Sequence, residues 1–184
     1  AALKEASAPL IFPMGVRAPA MMYEPGMGIS VGVFGLYSEF MKNILEAIEN
    51  GADSATFAAL EITATYRAAV VLKSEQEMFA GVASAKKDPR KSVHIQDVAV
   101  PQIAPDEVLI AVMASSINFN TVWTSIFEPI STFGALARLA RESEWAKRHD
   151  LDYHVIGSDA SGVVLRVGSA VRNWKPGDKI TVHC

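Results

Sequence analysis

The sequence predicts a mainly β domain with helices, an α+β fold built on a small, partly open β-barrel. Short runs of apolar and β-branched residues recur along the second half of the chain, and proline and glycine separate them. Such closely spaced strands are typical of small barrels. Apolar residues three and four apart also mark two helices, one before these strands and one between them.

Size and composition limit the function classes. A chain of 184 residues, half of them apolar, has the composition of one soluble globular domain. Its net charge of −3 argues against a nucleic-acid or membrane-surface partner, and no apolar run is long enough to span a membrane. One cysteine, Cys184, excludes an internal disulfide framework and a cysteine-rich zinc site, so we expect a cytoplasmic protein.

Residues 1–40 differ from the rest of the chain because they combine four prolines with little charge and no helical periodicity. We interpret them as an extension of unknown origin, an added or disordered segment, with a surface arm as the alternative. The predicted domain is 41–184. It begins with a helix over 41–50, whose apolar face contains Ile44, Leu45 and Ile48 and which stops before Gly51.

The pattern then predicts strands over 66–72, 93–100, 108–113, 161–167 and 179–182, with tight turns at 105–107 and 174–178. A helical insertion is predicted over 131–150, with a narrow apolar line of Phe133, Leu136 and Ala140. Opposite charges four residues apart favour this helix. The expected pairs are Arg138 with Glu142 and Glu144 with Arg148.

A candidate site lies at 115–129, SSINFNTVWTSIFEP, directly after the buried strand over 108–113. Asn118 and Asn120 are two residues apart, so in extended backbone their amide groups point to the same side. Trp123 and Phe127 add large apolar surface beside them. The alternative is that the asparagines cap a turn and the aromatic residues belong to the core.

Two further segments have a chemical and a structural interpretation. In 157–159, Gly157 permits a backbone conformation closed to other residues, and Asp159 is expected to be a buried or half-buried carboxylate that accepts hydrogen bonds near the turn. The basic segment 86–91, KKDPRK, is either a solvated turn or a contact for the phosphate groups of a nucleotide.

From about residue 41 to the end, the chain resembles crotonyl-CoA carboxylase/reductases of the medium-chain dehydrogenase/reductase superfamily. The motifs WTSIFEP and YHVIGSD carry most of this resemblance, and GSDASGVV and KPGD are shared across the wider superfamily. The resemblance implies a GroES-like catalytic domain. It further implies an enzyme in which NADPH gives hydride to the β-carbon of crotonyl-CoA, and the resulting enolate attacks CO2 to give ethylmalonyl-CoA.

The resemblance also assigns residues and partners. Asn120 matches the family's asparagine that helps to hold CO2, and Asn118, Phe119, Thr121 and Trp123 are expected to line the substrate or the nicotinamide. For Thr121 and Trp123, simple packing is the alternative. The implied partners are a short 2-enoyl-CoA substrate, CO2, the rest of the enzyme chain and further copies of it in a homo-oligomer.

Other parts of that chemistry are missing from this sequence. It has no G-x-G-x-x-G loop and so no Rossmann half for NADPH. The family's other carboxylation residues lie further along the complete chain, and Phe127-Glu128 is a different pair. Zinc-dependent relatives have cysteine where this chain has Asn120, and its four histidines lack ligand spacing, so no metal is expected.

The sequence is therefore interpreted as a fragment of a reductive carboxylase that is inactive alone. Two alternatives remain. The first is a zinc-free enoyl-CoA or quinone reductase of the same superfamily, which reduces without fixing CO2. The second is a non-catalytic GroES-like binding module, since fold alone does not establish activity.

Overall fold

The computed structural model describes residues 35–142 and 144–182, and in these residues six strands form two three-stranded antiparallel sheets. The helices are α1 (Gly35–Glu49), α2 (Ser54–Ala59), α3 (Phe119–Ser125) and α4 (Thr132–Glu142). The strands are β1 (Thr65–Leu72), β2 (His94–Ala99), β3 (Val108–Ala114), β4 (Tyr153–Val155), β5 (Ala160–Val167) and β6 (Lys179–Val182). Each predicted strand is thus present, with ends that differ by at most one residue, whereas β4 was not predicted as a strand.

The first sheet has the order β2-β1-β4, and the second has the order β3-β5-β6. In the first sheet, Val70 of β1 lies opposite Val155 on one side and His94 on the other. In the second, Ala114 at the end of β3 lies opposite Ser161 near the start of β5. This last pairing brings together two segments that are far apart in the sequence.

The second sheet is covered on both faces because its central strands are apolar at successive positions. Ile110 and Val112 pack on one face with residues of β5 and β6. Ala111 faces the other way and joins Ile44 of α1 and Phe57 of α2 in a separate buried cluster. The two N-terminal helices therefore cover one face of this sheet.

Gly162 allows β3 and β5 to approach closely. A Cβ atom at this position would lie 2.1 Å from the carbonyl oxygen of Ala111, which is impossible without moving a strand. Gly162, the second glycine of the GSDASGVV motif, is therefore required by packing within the sheet.

In the first sheet, β1 likewise contributes to two clusters. Val70 packs with Tyr66 and Ala68, whereas Val71 faces the aromatic cluster formed by Phe79, Phe127 and Phe133. Strand β2 is half-exposed as predicted, with Val98 buried and Ile95 65% exposed.

Helix α1 begins at Gly35, before the predicted start at residue 41. It ends at Glu49, and Gly51 follows with φ of 61°, as expected for a glycine that ends a helix. Ala52 N–H donates to the carbonyl of Ala47 over 2.9 Å and completes this C-terminal turn. The proposed division at residue 40 stays a prediction, and residues 1–34 lie outside the described part of the chain.

The segment 131–150 is helical in two pieces rather than one, because α4 ends at Glu142 and a 3₁₀ turn follows over Trp145–His149. Phe133, Leu136 and Ala140 are buried as predicted. The expected pair of Arg138 with Glu142 is present at 3.9 Å.

The expected pairing of Glu144 with Arg148 assumed α-helical spacing, and that assumption was wrong. Residues three apart face each other in a 3₁₀ turn, so Glu144 pairs with Lys147 at 2.6 Å. Arg148 forms an ion pair with Glu107 and donates to the carbonyl of Gln102 over 2.6 Å. This anchors the turn to the connection between β2 and β3.

None of the helices in the described residues has the length and apolar character needed to cross a membrane.

Candidate functional site

The predicted site residues meet at one end of the second sheet, where β3 finishes and β5 begins. The antiparallel pairing of Ala114 with Ser161 places residues 115–118 beside Ser158 and Asp159. Gly157 precedes this pair with φ of 104°, a conformation that L side chains rarely adopt. Side chains from both segments therefore converge at this end of the sheet.

The half-buried carboxylate of Asp159 is the hub of this cluster. Its oxygens accept hydrogen bonds from Ser116 Oγ at 2.5 Å, from Ser116 N–H at 3.1 Å and from Asn118 Nδ2 at 3.3 Å. Ser115 Oγ donates to the main-chain oxygen of Asp159 at 2.8 Å. The hydrogen bonds from Ser116, above all from its side chain, lower the pKa of Asp159 below its ordinary value because they favour the ionised form.

Asn118 is the N-cap of helix α3. Its Oδ1 accepts from Thr121 N–H at 3.1 Å, and Thr121 Oγ1 accepts from Asn118 N–H at 3.4 Å, which together form a capping box. Its Nδ2 donates to Ser158 Oγ at 2.9 Å. Asn118 therefore fixes the start of α3 against the 158–159 segment, and the prediction that the asparagines cap a turn holds for this residue.

Asn120 lies in the first turn of α3, so the assumption of extended backbone at both asparagines was wrong. Asn118 has extended backbone, with φ of −119° and ψ of −177°, whereas Asn120 is helical. The two amides nevertheless reach the same atom, since Asn120 Nδ2 lies 3.5 Å from Ser158 Oγ. The cap geometry, rather than strand periodicity, brings them together.

The aromatic residues of the stretch divide into two groups. Phe119 and Trp123 are one helical turn apart on α3 and are 77% and 46% exposed, with ring centroids 5.9 Å apart. Phe127 is buried between Phe79 and Phe133, with centroids 6.4 Å from each. The core interpretation is therefore correct for Phe127, whereas Phe119 and Trp123 form an exposed aromatic wall beside Asn120.

The carboxylate of Glu128 faces the basic segment 86–91. It pairs with Lys87 Nζ at 2.6 Å and accepts from Ser84 Oγ at 2.8 Å. The hydrogen bond from Lys87, and then that from Ser84, lowers the pKa of Glu128. In the same segment, Asp88 pairs with Arg90 at 2.9 Å. Lys87 is thus engaged within the protein, whereas Lys86 and Lys91 are exposed.

Within residues 35–142 and 144–182, no group of three or more histidine, cysteine, aspartate or glutamate side chains is arranged to hold a metal ion. His94 lies 2.7 Å from Glu75, and His154 is buried in β4. Burial lowers the pKa of His149. His183 and Cys184 lie outside the described residues.

The sequence analysis missed three serines of the cluster, Ser115, Ser116 and Ser158. Their positions could have indicated a place in the site, since Ser115 and Ser116 follow the end of β3 and Ser158 precedes Asp159. Serine at such positions is also common in ordinary turns. Only the pairing of β3 with β5 shows that both segments share one site.

Comparison with known proteins shows which sequences and folds this chain resembles. Residues 104–184 match the alcohol dehydrogenase GroES-like domain family. Over 145 residues, or 78% of the chain, the sequence is 59% identical to a crotonyl-CoA reductase of Streptomyces avermitilis, covering 33% of that protein. Over 111 residues, or 59% of the chain, it is 35% identical to crotonyl-CoA carboxylase/reductase of Cereibacter sphaeroides, covering 23% of it.

Among solved structures, the chain is similar to the 2-octenoyl-CoA carboxylase reductase CinF of a Streptomyces species. The TM-score is 0.71 at 52% identity, over 77% of this chain and 32% of that one in the apo form. The same enzyme in complex with NADP and 2-octenoyl-CoA gives the same TM-score and identity.

The chain spans about a third of the length of the crotonyl-CoA reductases that it matches. The expected GroES-like α+β fold is confirmed by the domain match and by the structural similarity. By its sequence and its fold, the chain is homologous to part of the crotonyl-CoA carboxylase/reductases.

Proposed function

We propose that this chain forms part of an NADPH-dependent enzyme that reduces and carboxylates short 2-enoyl-CoA thioesters. The observation that carries the proposal is the position of Asn120. Its amide lies in the first turn of α3, 3.5 Å from Ser158 Oγ and on the helix that also bears the exposed Phe119 and Trp123. A polar donor beside an apolar wall suits a site that must hold CO2 near a reactive carbanion.

The amide of Asn120 can donate a hydrogen bond to an oxygen of CO2 without offering an acidic proton. This matters because the enolate formed after hydride transfer reacts either with CO2 or with a proton. The network of Asn118, Ser158 and Asp159 holds the first turn of α3, so the amide is oriented before CO2 arrives.

Phe119 and Trp123 would exclude water from the reacting carbon and so disfavour protonation of the enolate. When bound, NADPH supplies the hydride for this chemistry. The apolar surface of the two rings fits a nicotinamide or an acyl chain, whereas the sequence has no G-x-G-x-x-G pattern for the nucleotide phosphates. We assign that part of the binding to the rest of the enzyme.

The names of the relatives support the proposed substrate class and differ in acyl length. One is a crotonyl-CoA reductase, and CinF forms a complex with 2-octenoyl-CoA. We propose a 2-enoyl-CoA substrate with CO2, a homo-oligomeric complete enzyme, a cytoplasmic location and no metal requirement. Lys86 and Lys91 are exposed, and we assign them to the phosphate groups of CoA, whereas Arg90 is paired with Asp88.

The test is Asn120→Ala in the full-length protein that contains this chain. With crotonyl-CoA, NADPH and CO2, we expect the ratio of ethylmalonyl-CoA to butyryl-CoA to fall about tenfold or more, because protonation replaces carboxylation. Products are separated by chromatography and identified by mass. Asn173→Ala, at an exposed asparagine in a loop, is the matched control. An unchanged ratio in Asn120→Ala would contradict the role of Asn120.

The same assay separates the alternatives. A reductase that does not fix CO2 would give butyryl-CoA alone even at saturating CO2, and a binding module would not oxidise NADPH at all. The 184-residue chain by itself is expected to oxidise no NADPH. Turnover by the pure chain would show that the missing nucleotide site is not required.

A further inference from the structure

The C-terminal end of helix α3 is held by residues 73–93, a segment that lies outside the cluster around Asn118 and Asp159. Ser92 is fully buried, and its hydroxyl donates to the carbonyl of Ser125, the last residue of α3. Ser125 is also buried, and its own hydroxyl donates to the carbonyl of Thr121 at 2.7 Å. These contacts connect the end of the helix to a separate part of the chain.

Glu128 provides the second connection. Its N–H donates to the carbonyl of Trp123 over 2.9 Å, which closes the helix end. Its carboxylate pairs with Lys87, whose side chain is only 11% exposed, while that of Glu128 is 24% exposed. Ion pairs that are shielded from solvent in this way are much less screened than surface pairs.

Phe127, between Ile126 and Glu128, adopts φ of 57°, a region that is rare for a bulky side chain. Its ring is buried between Phe79, from segment 73–93, and Phe133 of α4. The surrounding contacts must hold this conformation, since an isolated chain would avoid it. The Lys87–Glu128 ion pair and the contacts of Phe127 with Phe79 and Phe133 both stabilise this turn.

We propose that Glu128, together with Lys87, is a positioning residue for Asn120. The cap at Asn118 fixes one end of α3, and the Lys87–Glu128 pair fixes the other, so this seven-residue helix is held at both ends. Asn120 and Trp123 lie between these two anchors. This proposal rests on the function proposed above, because it assigns Glu128 an effect on CO2 capture through the placement of Asn120.

The first test is Glu128→Gln in the full-length protein, a change that keeps the shape of the side chain and removes its charge. We expect the ratio of carboxylated to reduced product to fall about fivefold to tenfold, because small displacements of a positioned group are costly. NADPH oxidation should continue. A purely structural role would lower the amount of active protein and reduce both products equally. Glu142→Gln, in the exposed pair with Arg138, is the matched control.

The second readout does not depend on activity. Hydrogen exchange at the amides of residues 119–128 should be faster in Glu128→Gln than in the wild type, with no change in Glu142→Gln. Lys87→Met should have the same effect, and the double variant should add little to either single one, since both remove the same pair.

The outcomes distinguish the two proposals. If Asn120→Ala changes the product ratio and Glu128→Gln changes neither the ratio nor the exchange, the positioning role is overturned. If Asn120→Ala changes the ratio, and Glu128→Gln accelerates exchange in α3 but leaves the ratio unchanged, the anchor exists without the effect on CO2 capture, and the proposal also fails. If neither substitution alters the ratio while exchange rises, it is the proposed function that fails.

Discussion

A single carboxylate, that of Asp159, holds together the end of β3 and the start of β5, and through Asn118 it also holds helix α3. Its partners Ser116 and Asn118 are more than forty residues away in sequence. An ionised carboxylate makes stronger hydrogen bonds than a neutral one. The stability of the site therefore depends on the charge of this group.

We predict that Asp159→Asn lowers the free energy of unfolding by about 1 to 2 kcal/mol at pH 7. The pKa of Asp159 is lowered in the folded protein, so its contribution is present above its ordinary pKa of 3.8 and is lost as the pH falls through the lower folded value. Urea unfolding of both proteins between pH 7 and pH 3 should show the difference shrinking below about pH 4.

Asp97→Asn is the control for this pH series. Its carboxylate lies 3.5 Å from Arg67 and is 54% exposed, so we expect an effect below about 0.5 kcal/mol. A difference between wild type and Asp159→Asn that stays constant down to pH 3 would contradict the role of the charge.

Among the secondary-structure elements, helix α4 shows how far periodicity alone determines structure. Its apolar line was readable from the sequence, because residues three and four apart share a helical face. The end of helix α4 could not be read from the sequence, because no residue pattern over 143–150 indicates a change from α-helical to 3₁₀ geometry. The contact of Arg148 with Glu107 is a tertiary interaction that no local pattern encodes.

Two leucines of α4 provide a matched comparison. Leu136 is 2% exposed and Leu139 is 41% exposed. We predict that Leu136→Ala lowers the free energy of unfolding by about 2 to 5 kcal/mol because it leaves a cavity. Leu139→Ala should cost less than about 1 kcal/mol. Urea unfolding measures both, and equal effects would show that the helix does not face the core as described.

For the whole molecule, five of the six strands in the described residues were predictable from runs of apolar and β-branched residues, most of them bounded by proline or glycine. Strand β4 was not predicted, because its three residues are too few to form a recognisable pattern. The grouping of those strands into two sheets was not predictable, since pairing between distant strands leaves no local trace. The site, like the sheets, could be predicted only in part. The sequence stretch 115–129 was recognisable, whereas its contact with Ser158 required the β3–β5 pairing, and its anchor at Lys87 required segment 73–93.

The surface around α3 exposes unusually large apolar side chains. Ile117, Phe119 and Ile130 are each more than 70% exposed, and Trp123 is 46% exposed. Phe119 and Trp123 lie against each other, and exposed apolar surface of this kind commonly marks a contact site. We therefore predict that the 184-residue chain by itself self-associates through this surface.

Sedimentation velocity at rising concentration tests that prediction. Phe119→Ser combined with Ile130→Ser should shift the chain toward monomer, because serine removes apolar area from the patch. Ile95→Ser, at a residue on β2 that is 65% exposed, is the matched control and should leave association unchanged. A wild-type chain that stays monomeric at high concentration would contradict the prediction.

Helices α1 and α2 pack against β5, so their apolar faces stay without this partner until β5 has been synthesised. Arg166 donates to the carbonyl of Phe57 across a sequence separation of 109 residues, and Ile44 and Phe57 pack against Val163 and Leu165. At roughly 5 to 20 residues per second, β5 leaves the ribosome on the order of 5 to 20 s after α2. During that interval the apolar faces of α1 and α2 have no partner strand, so the nascent chain is a natural client for chaperones that shield apolar helices.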